Sequence, residues 1–494
     1  MGAVYSQDDK GEQMDISAVV KKLNSELGMT IPTSYYGEIR KWSKWWQGKT
    51  SFHARTEALA NGTRRRSQIY SLGMAKKICE DWASVLLNEK THISVSDDSS
   101  TKWLQGDNET GGVFADISFW TEANALVEKA FYSGTGAFVL KVDGMGVTED
   151  GSVAESSDAR IRMEYLPAEN IIPITVRYNQ VTECAFASDV SVRGRDFVYV
   201  ETHMIEDGLY VIRNRYYEYT NGVLHDAPLP EGVAAVVNTG SPIPFFAIIK
   251  PNSVNSIKSN RGLGCAVFAN AIDNLKGVDL AYNNFNQDFY LGGKKVFYDR
   301  SLGESTVNAD GSITTLAPDE VQQRLFWQLG DNILADGKQP IYEFNPSLRV
   351  EENVNGIQAQ LDYLSFKCGL GTRYYKFDTN TGSITATQYT GEKQELKQNA
   401  AKHMIVIEKA LIDIVHAMLW IGRNIIGAPV DETAEIKVEF SDGYIISDEE
   451  RRARDLQEFD RGLLQGWEFR KTWRNEDEAT AKAMFQKPTL FGDK

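Results

Sequence analysis

The chain has 494 residues, 42% of them hydrophobic, enough to bury a large core and a length suited to about three domains. Its formal net charge is −15 and its isoelectric point is near 5.1. That balance excludes a protein that grips nucleic acid through an overall basic field, though not one that lets a duplex pass. Cys79, Cys184, Cys265 and Cys368 lie far apart, form no CxxC and sit in apolar segments. They read as buried free thiols, with no disulfide framework and no zinc site. No run of about 18 apolar residues occurs, so no membrane span is expected.

In chain order, residues 1–12 read as a disordered tail; Met1-Gly2 with Ser6 fits a myristoylation pattern too short to carry weight. Asp15 can cap a helix that ends at Gly28, and Thr33 or Ser34 a second over Tyr35–Gln47. The second interleaves Arg40, Lys41 and Lys44 with Trp42, Trp45 and Trp46. The expectation is an amphipathic helix docked by its tryptophans, with cationic contact to nucleic acid or lipid as the competing reading. Thr63-Arg64-Arg65-Arg66 reads as the solvated entry to a helix over Ser67–Asn88, with a phosphate clamp as the competing reading, and another helix is expected over Ile117–Tyr132.

From Ala137 to Ile249 the pattern changes to β-like runs at Ala137–Val142, Arg160–Leu166, Ile171–Val176, Val181–Ala187, Phe197–His203 and Leu209–Tyr219. They predict an α+β block with an antiparallel sheet. Thr239–Asn260, with three prolines, reads as a linker. A helix over Ala266–Leu291 follows, then strands at Lys295–Tyr298 and Ser312–Leu316, a helix over Pro318–Leu329 and a strand at Ile341–Phe344. This insertion is flanked by helices, since Val354, Ile357, Leu361, Leu364 and Cys368 mark one apolar stripe over Glu352–Cys368. Gly369 to Ser383 is crowded with turn-forming residues. Ala386 to about Ile425 then reads as a single helix, about 60 Å long by rise per residue. A strand at Glu435–Phe440 and helices from Ser447, around Arg470–Trp473 and over Glu476–Phe485 close the chain.

Groupings that carry chemistry are missing from this pattern. Gly48-Lys49-Thr50 has Ser43 where a phosphate-binding loop needs its first glycine, and two tryptophans crowd it. Ser133-Gly134-Thr135-Gly136 lacks the third glycine of a dinucleotide fingerprint and is expected to turn a helix into a strand. The six histidines show no metal-ligand spacing, and Glu435, Lys437 and Glu439 read as a solvated strand face. No catalytic residue, cofactor or metal is expected.

The order of elements resembles the portal proteins of tailed double-stranded DNA phages, of the type found in phages of Gram-positive bacteria. The resemblance spans about Asp15 to Phe485 and rests on several weak matches in the right order. They are Gly262-Leu263-Gly264-Cys265 with the run to Asp279, Thr385-Ala386-Thr387-Gln388 at the head of the long helix, and Phe440-Ser441-Asp442 with Asp448-Glu449-Glu450-Arg451-Arg452. Leu463-Leu464-Gln465-Gly466-Trp467, followed by an acidic helix, completes the set.

The resemblance implies a homo-oligomeric ring, typically of twelve copies, at one capsid vertex of a virion assembled in the host cytoplasm. After the tail (1–12) it implies a wing (13–260), a stem helix (261–291), a clip (292–349) and a second stem helix (350–370). A tunnel loop (371–384), a long wing helix with its closing strand (385–447) and a crown with the C-terminal tail (448–494) follow. Its partners would be double-stranded DNA, the terminase large subunit, a head–tail adaptor, and the major capsid and scaffolding proteins. On that footing Arg373, Lys376, Thr379, Asn380, Thr381, Gly382 and Ser383 are DNA-facing candidates, and Lys367 is a stem-pore candidate. Asp319 and Glu320 are clip-docking candidates. Tyr374, Tyr375 and Phe377 are expected to anchor the loop against neighbouring helices. A structural scaffold, non-viral or a minor virion component, and an enzyme without a recognisable motif remain the alternatives.

Overall fold

The computed structural model describes residues 15–58, 62–88, 90–107, 111–299, 305–315, 326–329, 341–377, 386–440, 448–474 and 476–485. Its N-terminal part begins with α1 (Ile16–Leu27), capped by the Asp15 carboxylate, which accepts from the Ser17 amide, and ended by left-handed Gly28. Helices α2 (Ser34–Trp46) and α3 (Met74–Leu86) follow, separated by a hairpin of β1 (Ala54–Ala58) and β2 (Arg64–Gln68). The three arginines therefore lie on a strand, not at a helix entry. The expected helix over Ser67–Asn88 starts only at Met74, because the chain must first cross to a distant helix and then turn at left-handed Gly73.

Strand β3 (His92–Val95), α4 (Asp98–Gln105), α5 (Val113–Asp116) and α6 (Phe119–Ser133) lead into the sheets. Trp42, Trp82, Phe119 and Phe131 are fully buried where the helices meet, each such side chain contributing about 2–3 kcal/mol of transfer free energy.

The strands are β4 (Gly136–Asp143), β5 (Gly146–Val147), β6 (Val153–Ala154), β7 (Arg160–Pro167), β8 (Ile171–Arg177), β9 (Gln180–Val192) and β10 (Arg195–Glu206). They continue with β11 (Leu209–Thr220), β12 (Val223–Asp226), β13 (Val236–Asn238) and β14 (Phe246–Ile249). The runs expected from sequence are all strands, but they divide between two antiparallel sheets rather than one. One has the order β14-β4-β7; the other runs β12-β11-β10-β9-β8, with β13 also on β11. A 3₁₀ turn at Ala168–Asn170 carries the chain from one sheet to the other. Thr239–Asn260 is not a linker. Pro242, Pro244 and Pro251 bracket an apolar run in which Phe245, Phe246, Ala247 and Ile249 are buried and β14 pairs with β4. Prolines outside the ladder leave its hydrogen bonds intact.

Helix α7 (Ile272–Leu291) begins later than the sequence suggests, after a 3₁₀ turn at Ala269–Ala271. The insertion holds β15 (Lys295–Asp299), β16 (Ser305–Val307), β17 (Ile313–Thr315), β18 (Phe326–Leu329) and β19 (Ile341–Phe344). Phe326–Leu329 is a strand parallel to β15, so the expected helix over Pro318–Leu329 does not extend to its end; Phe326 and Trp327 suit a pleated surface better. Helix α8 (Val350–Lys367) runs back along α7 as its antiparallel partner: Gly277 lies beside Gln360, and Asp288 near the far end of α7 pairs with Arg349.

Helix α9 (Ala386–Ile421) is about 54 Å long and ends in a π turn at Gly422–Ile426, short of the expected Ile425. A Cβ at Gly422 would meet the Trp103 ring at 2.7 Å, so only glycine admits that packing. Strand β20 (Ile436–Glu439) pairs with β3, so the closing strand returns to the N-terminal part; Glu435, Lys437 and Glu439 are exposed. Helices α10 (Asp448–Asp460), α11 (Gly466–Arg474) and α12 (Glu478–Phe485) complete an α+β fold. All four cysteines are free and buried, as the sequence suggested. None of the helices described is long and apolar enough to cross a membrane.

Candidate functional site

The stretch after α8 is where the sequence-based candidates gather. Helix α8 is followed by its cap residue Cys368, whose carbonyl accepts from the buried Trp82 indole at 3.1 Å. The next carbonyl, of Gly369, accepts from the Asn399 side chain of α9 at 3.0 Å. Gly369, Gly371 and Arg373 all have positive φ, of 79°, 86° and 61°. Three left-handed residues at alternate positions fold the chain sharply back on itself. At Gly369 a Cβ would also lie 3.3 Å from the Asn399 amide nitrogen.

The aromatics that follow anchor the segment, as expected. The Tyr375 hydroxyl donates to Asp81 Oδ2 on α3 at 2.8 Å. Burial and the Asp81 carboxylate push its pKa well above the ordinary phenol range, so it stays a donor. Tyr374 is pushed up to about 12, first by burial and then by Asp81. The Phe377 ring meets Phe285 of α7 edge to face at 6.1 Å. Gln358 of α8 does what no sequence signal announced. Its side-chain amide donates to the Tyr375 carbonyl at 2.8 Å and accepts from the Phe377 amide at 2.7 Å. A single glutamine thus pairs both edges of the segment to the helix before it.

Lys367, Arg373 and Lys376 are exposed around this anchored corner, and among the described residues none of them pairs with a carboxylate. Thr379, Asn380, Thr381, Gly382 and Ser383 lie outside the described residues, as do the clip candidates Asp319 and Glu320 and the tail of residues 1–12.

A second polar cluster fixes α7. Asp279, buried in the middle of that helix, accepts from the Leu72 amide at 2.8 Å and the Ser71 hydroxyl at 3.2 Å, and shares a 2.8 Å hydrogen bond with His53 Nε2. Asn283, one turn on, accepts from the Tyr70 amide at 3.2 Å. A sequence reading could have found Asp279 only as a carboxylate on an otherwise apolar stripe. Beneath the corner, His403 of α9 packs edge-on against Trp82 and Phe131, its Nδ1 accepting from the Asn252 amide at 2.9 Å. Burial, with Lys402 adding to it, holds its pKa down to about 4.

The α7–α8 pair leaves large apolar side chains exposed at both of its ends. Phe289, Tyr290 and Leu291 on α7 and Val350, Tyr363 and Phe366 on α8 are exposed, Tyr290 to 66% and Tyr363 to 63%. Among the described residues no group of three or more His, Cys, Asp or Glu side chains is placed to hold a metal ion. No family model and no curated protein matches the chain.

Proposed function

We propose that the chain is the subunit of a portal-type ring: a non-enzymatic channel at one vertex of a phage capsid, through which a terminase motor threads DNA and to which head-completion proteins later dock. The observation that carries the reading is the antiparallel α7–α8 pair, which leaves Phe289, Tyr290 and Leu291 at one end and Tyr363 and Phe366 at the other exposed. Exposed aromatics in that number have no use on a lone chain and suit repeated copies packed side by side. On this reading α7 and α8 are the stem and β15–β19 belong to the clip. The corner from Gly371 leads into the tunnel loop, α9 is the long wing helix, and α10–α12 form the crown.

The electrostatics support the same role. Twelve copies carrying −15 each would sum to roughly −180, a wall that repels a duplex rather than holding it. Each phosphate neutralised adds salt-dependent grip, so a channel that must let a genome slide should offer few cations. Lys367, Arg373 and Lys376, exposed and repeated around a ring, would give transient contacts that centre the duplex.

Native mass measurement with negative-stain imaging tests this reading. A particle of twelve 55.3 kDa chains, roughly 660 kDa, with a central hole is the expected result. A chain that stays single-copy when concentrated, or assembles without an opening wide enough for B-form DNA, would overturn it. A large assembly without a hole would favour a scaffold, and a monomer with turnover an enzyme.

A further inference from the structure

Three sequence features outside the corner after α8 converge in space: the cations of α2, Gly48-Lys49-Thr50, and the arginine run of β2. The tryptophans of α2 are spent on packing. Trp42 and Trp45 are buried, and Trp46 stacks on Tyr132 at 4.4 Å while its indole donates to Glu128 at 2.9 Å. Arg40, Lys41 and Lys44 point the other way, exposed along one edge of the helix. The turn at left-handed Gly48 brings Lys49 round beside them, and the β1–β2 hairpin supplies Arg66 from the opposite wall. Between these walls lies an open groove of about 970 Å³.

We propose that this groove binds the phosphodiester backbone of nucleic acid, at a place other than the corner after α8. Among the described residues its lining holds five cations and no carboxylate; the rest is Thr50, Ser51, Ser67, Gln68 and small or buried residues. Arg40 is bonded to Asp15 at 2.9 Å and Lys41 lies 3.5 Å from Glu38. Lys44, Lys49 and Arg66 pair with no carboxylate among the described residues. On a chain of net charge −15, an acid-free groove with three uncommitted cations is a local reversal of sign. The occupant follows from what is absent. A protein partner would need aromatic or aliphatic anchors in pockets, and the lining offers no large apolar side chain. Phosphates need only cations, hydroxyls and amides. Along α2, steps of three and four residues put Lys44 on the same face as Arg40 and Lys41. The proposal does not depend on the ring reading.

The test measures binding of the full chain to a labelled, covalently closed duplex circle, which has no end to thread through a channel. Affinity should fall steeply with salt. The triple variant Lys44→Glu, Lys49→Glu, Arg66→Glu should weaken binding by roughly tenfold or more at low salt and flatten the log–log salt slope by about three. Lys44→Gln, Lys49→Gln, Arg66→Gln, gentler on folding, should move the same way. Reversal of Lys102, Lys409 and Lys437, exposed elsewhere and equal in charge change, should stay within about twofold. Failure of the parent chain to bind the circle would overturn the proposal, as would an equal loss in the distant triple variant. Displacement by polyglutamate at matched charge would overturn it too, because the groove would then be selecting carboxylates.

Discussion

Asp279 and His53 meet at 2.8 Å between side chains that are each about 5% exposed, joining the middle of α7 to the 3₁₀ turn before β1. The same carboxylate holds the Leu72 amide and the Ser71 hydroxyl. It therefore fixes the rotation of α7 against the N-terminal block, and with it which face of the helix stays outward. Asp279→Ala would leave the buried His53 ring without its carboxylate and break the bonds to the half-buried Leu72 amide and the exposed Ser71 hydroxyl. A loss of about 3 kcal/mol is expected by chemical denaturation, and roughly half that for Asp279→Asn, which keeps an acceptor. A loss below about 1 kcal/mol for the alanine variant would show that the cluster does not hold α7 in place.

Acid should act through His403. Its ordinary pKa of 6.5 is held down to about 4 in the fold, so between these values the unfolded chain binds the proton and the folded chain does not. Stability from this group is thus whole above pH 6.5, falls as pH drops, and is fully lost below about 4. The depth is on the order of 3 kcal/mol. Urea titrations at pH 7, 5.5 and 4.5 should show this slope in the parent chain and a shallower one in His403→Gln, whose side chain can still accept from Asn252. Parallel pH profiles would remove His403 as the source.

Much of this fold was legible because alternation and helical stripes report burial directly. The β-runs of Arg160–Tyr219 and the stripe over Ile357, Leu361 and Leu364 were read correctly for that reason. The failures have physical causes too. Phe245–Ile249 was hidden by the prolines around it, whose turn signal outweighs a five-residue apolar run. Arg64–Gln68 carries no apolar alternation, and only pairing with β1 makes it a strand. At the candidate site, Tyr375 and Phe377 were recognisable as anchors by type. Their partners Asp81 and Phe285 were not, since contacts between residues so far apart in the chain leave no periodic trace. Gln358 is the clearest case: on a helix stripe it looks like any polar residue, and only the fold-back of the chain gives it two backbone partners.

Loosening those partners should free the corner without unfolding the protein. Gln358→Ala removes one acceptor and one donor, and Tyr375→Phe removes the bond to Asp81. Each should cost about 1 kcal/mol. Arg373 and Lys376 are exposed tryptic sites within the same corner. The double variant should therefore be cut there several times faster, while cleavage elsewhere keeps its rate. Uniform acceleration at all sites would mean that the substitutions destabilise the whole chain instead.

Arg373 itself allows charge to be separated from shape. Its φ of 61° is one that glycine adopts freely and other residues adopt at a cost of about 1 kcal/mol. Arg373→Gly relieves that strain but adds freedom to the unfolded chain, so its stability should stay within about 1 kcal/mol of the parent. Arg373→Val, branched at Cβ, should lose about 1–2 kcal/mol. The glycine variant should therefore keep the corner, and any assembly built on it, while deleting a cation. If the three cations centre a passing duplex, Arg373→Gly combined with Lys367→Gln and Lys376→Gln should assemble normally yet package DNA with altered efficiency. Normal packaging by an intact triple-variant assembly would assign these cations to solvent and leave the centring to other residues.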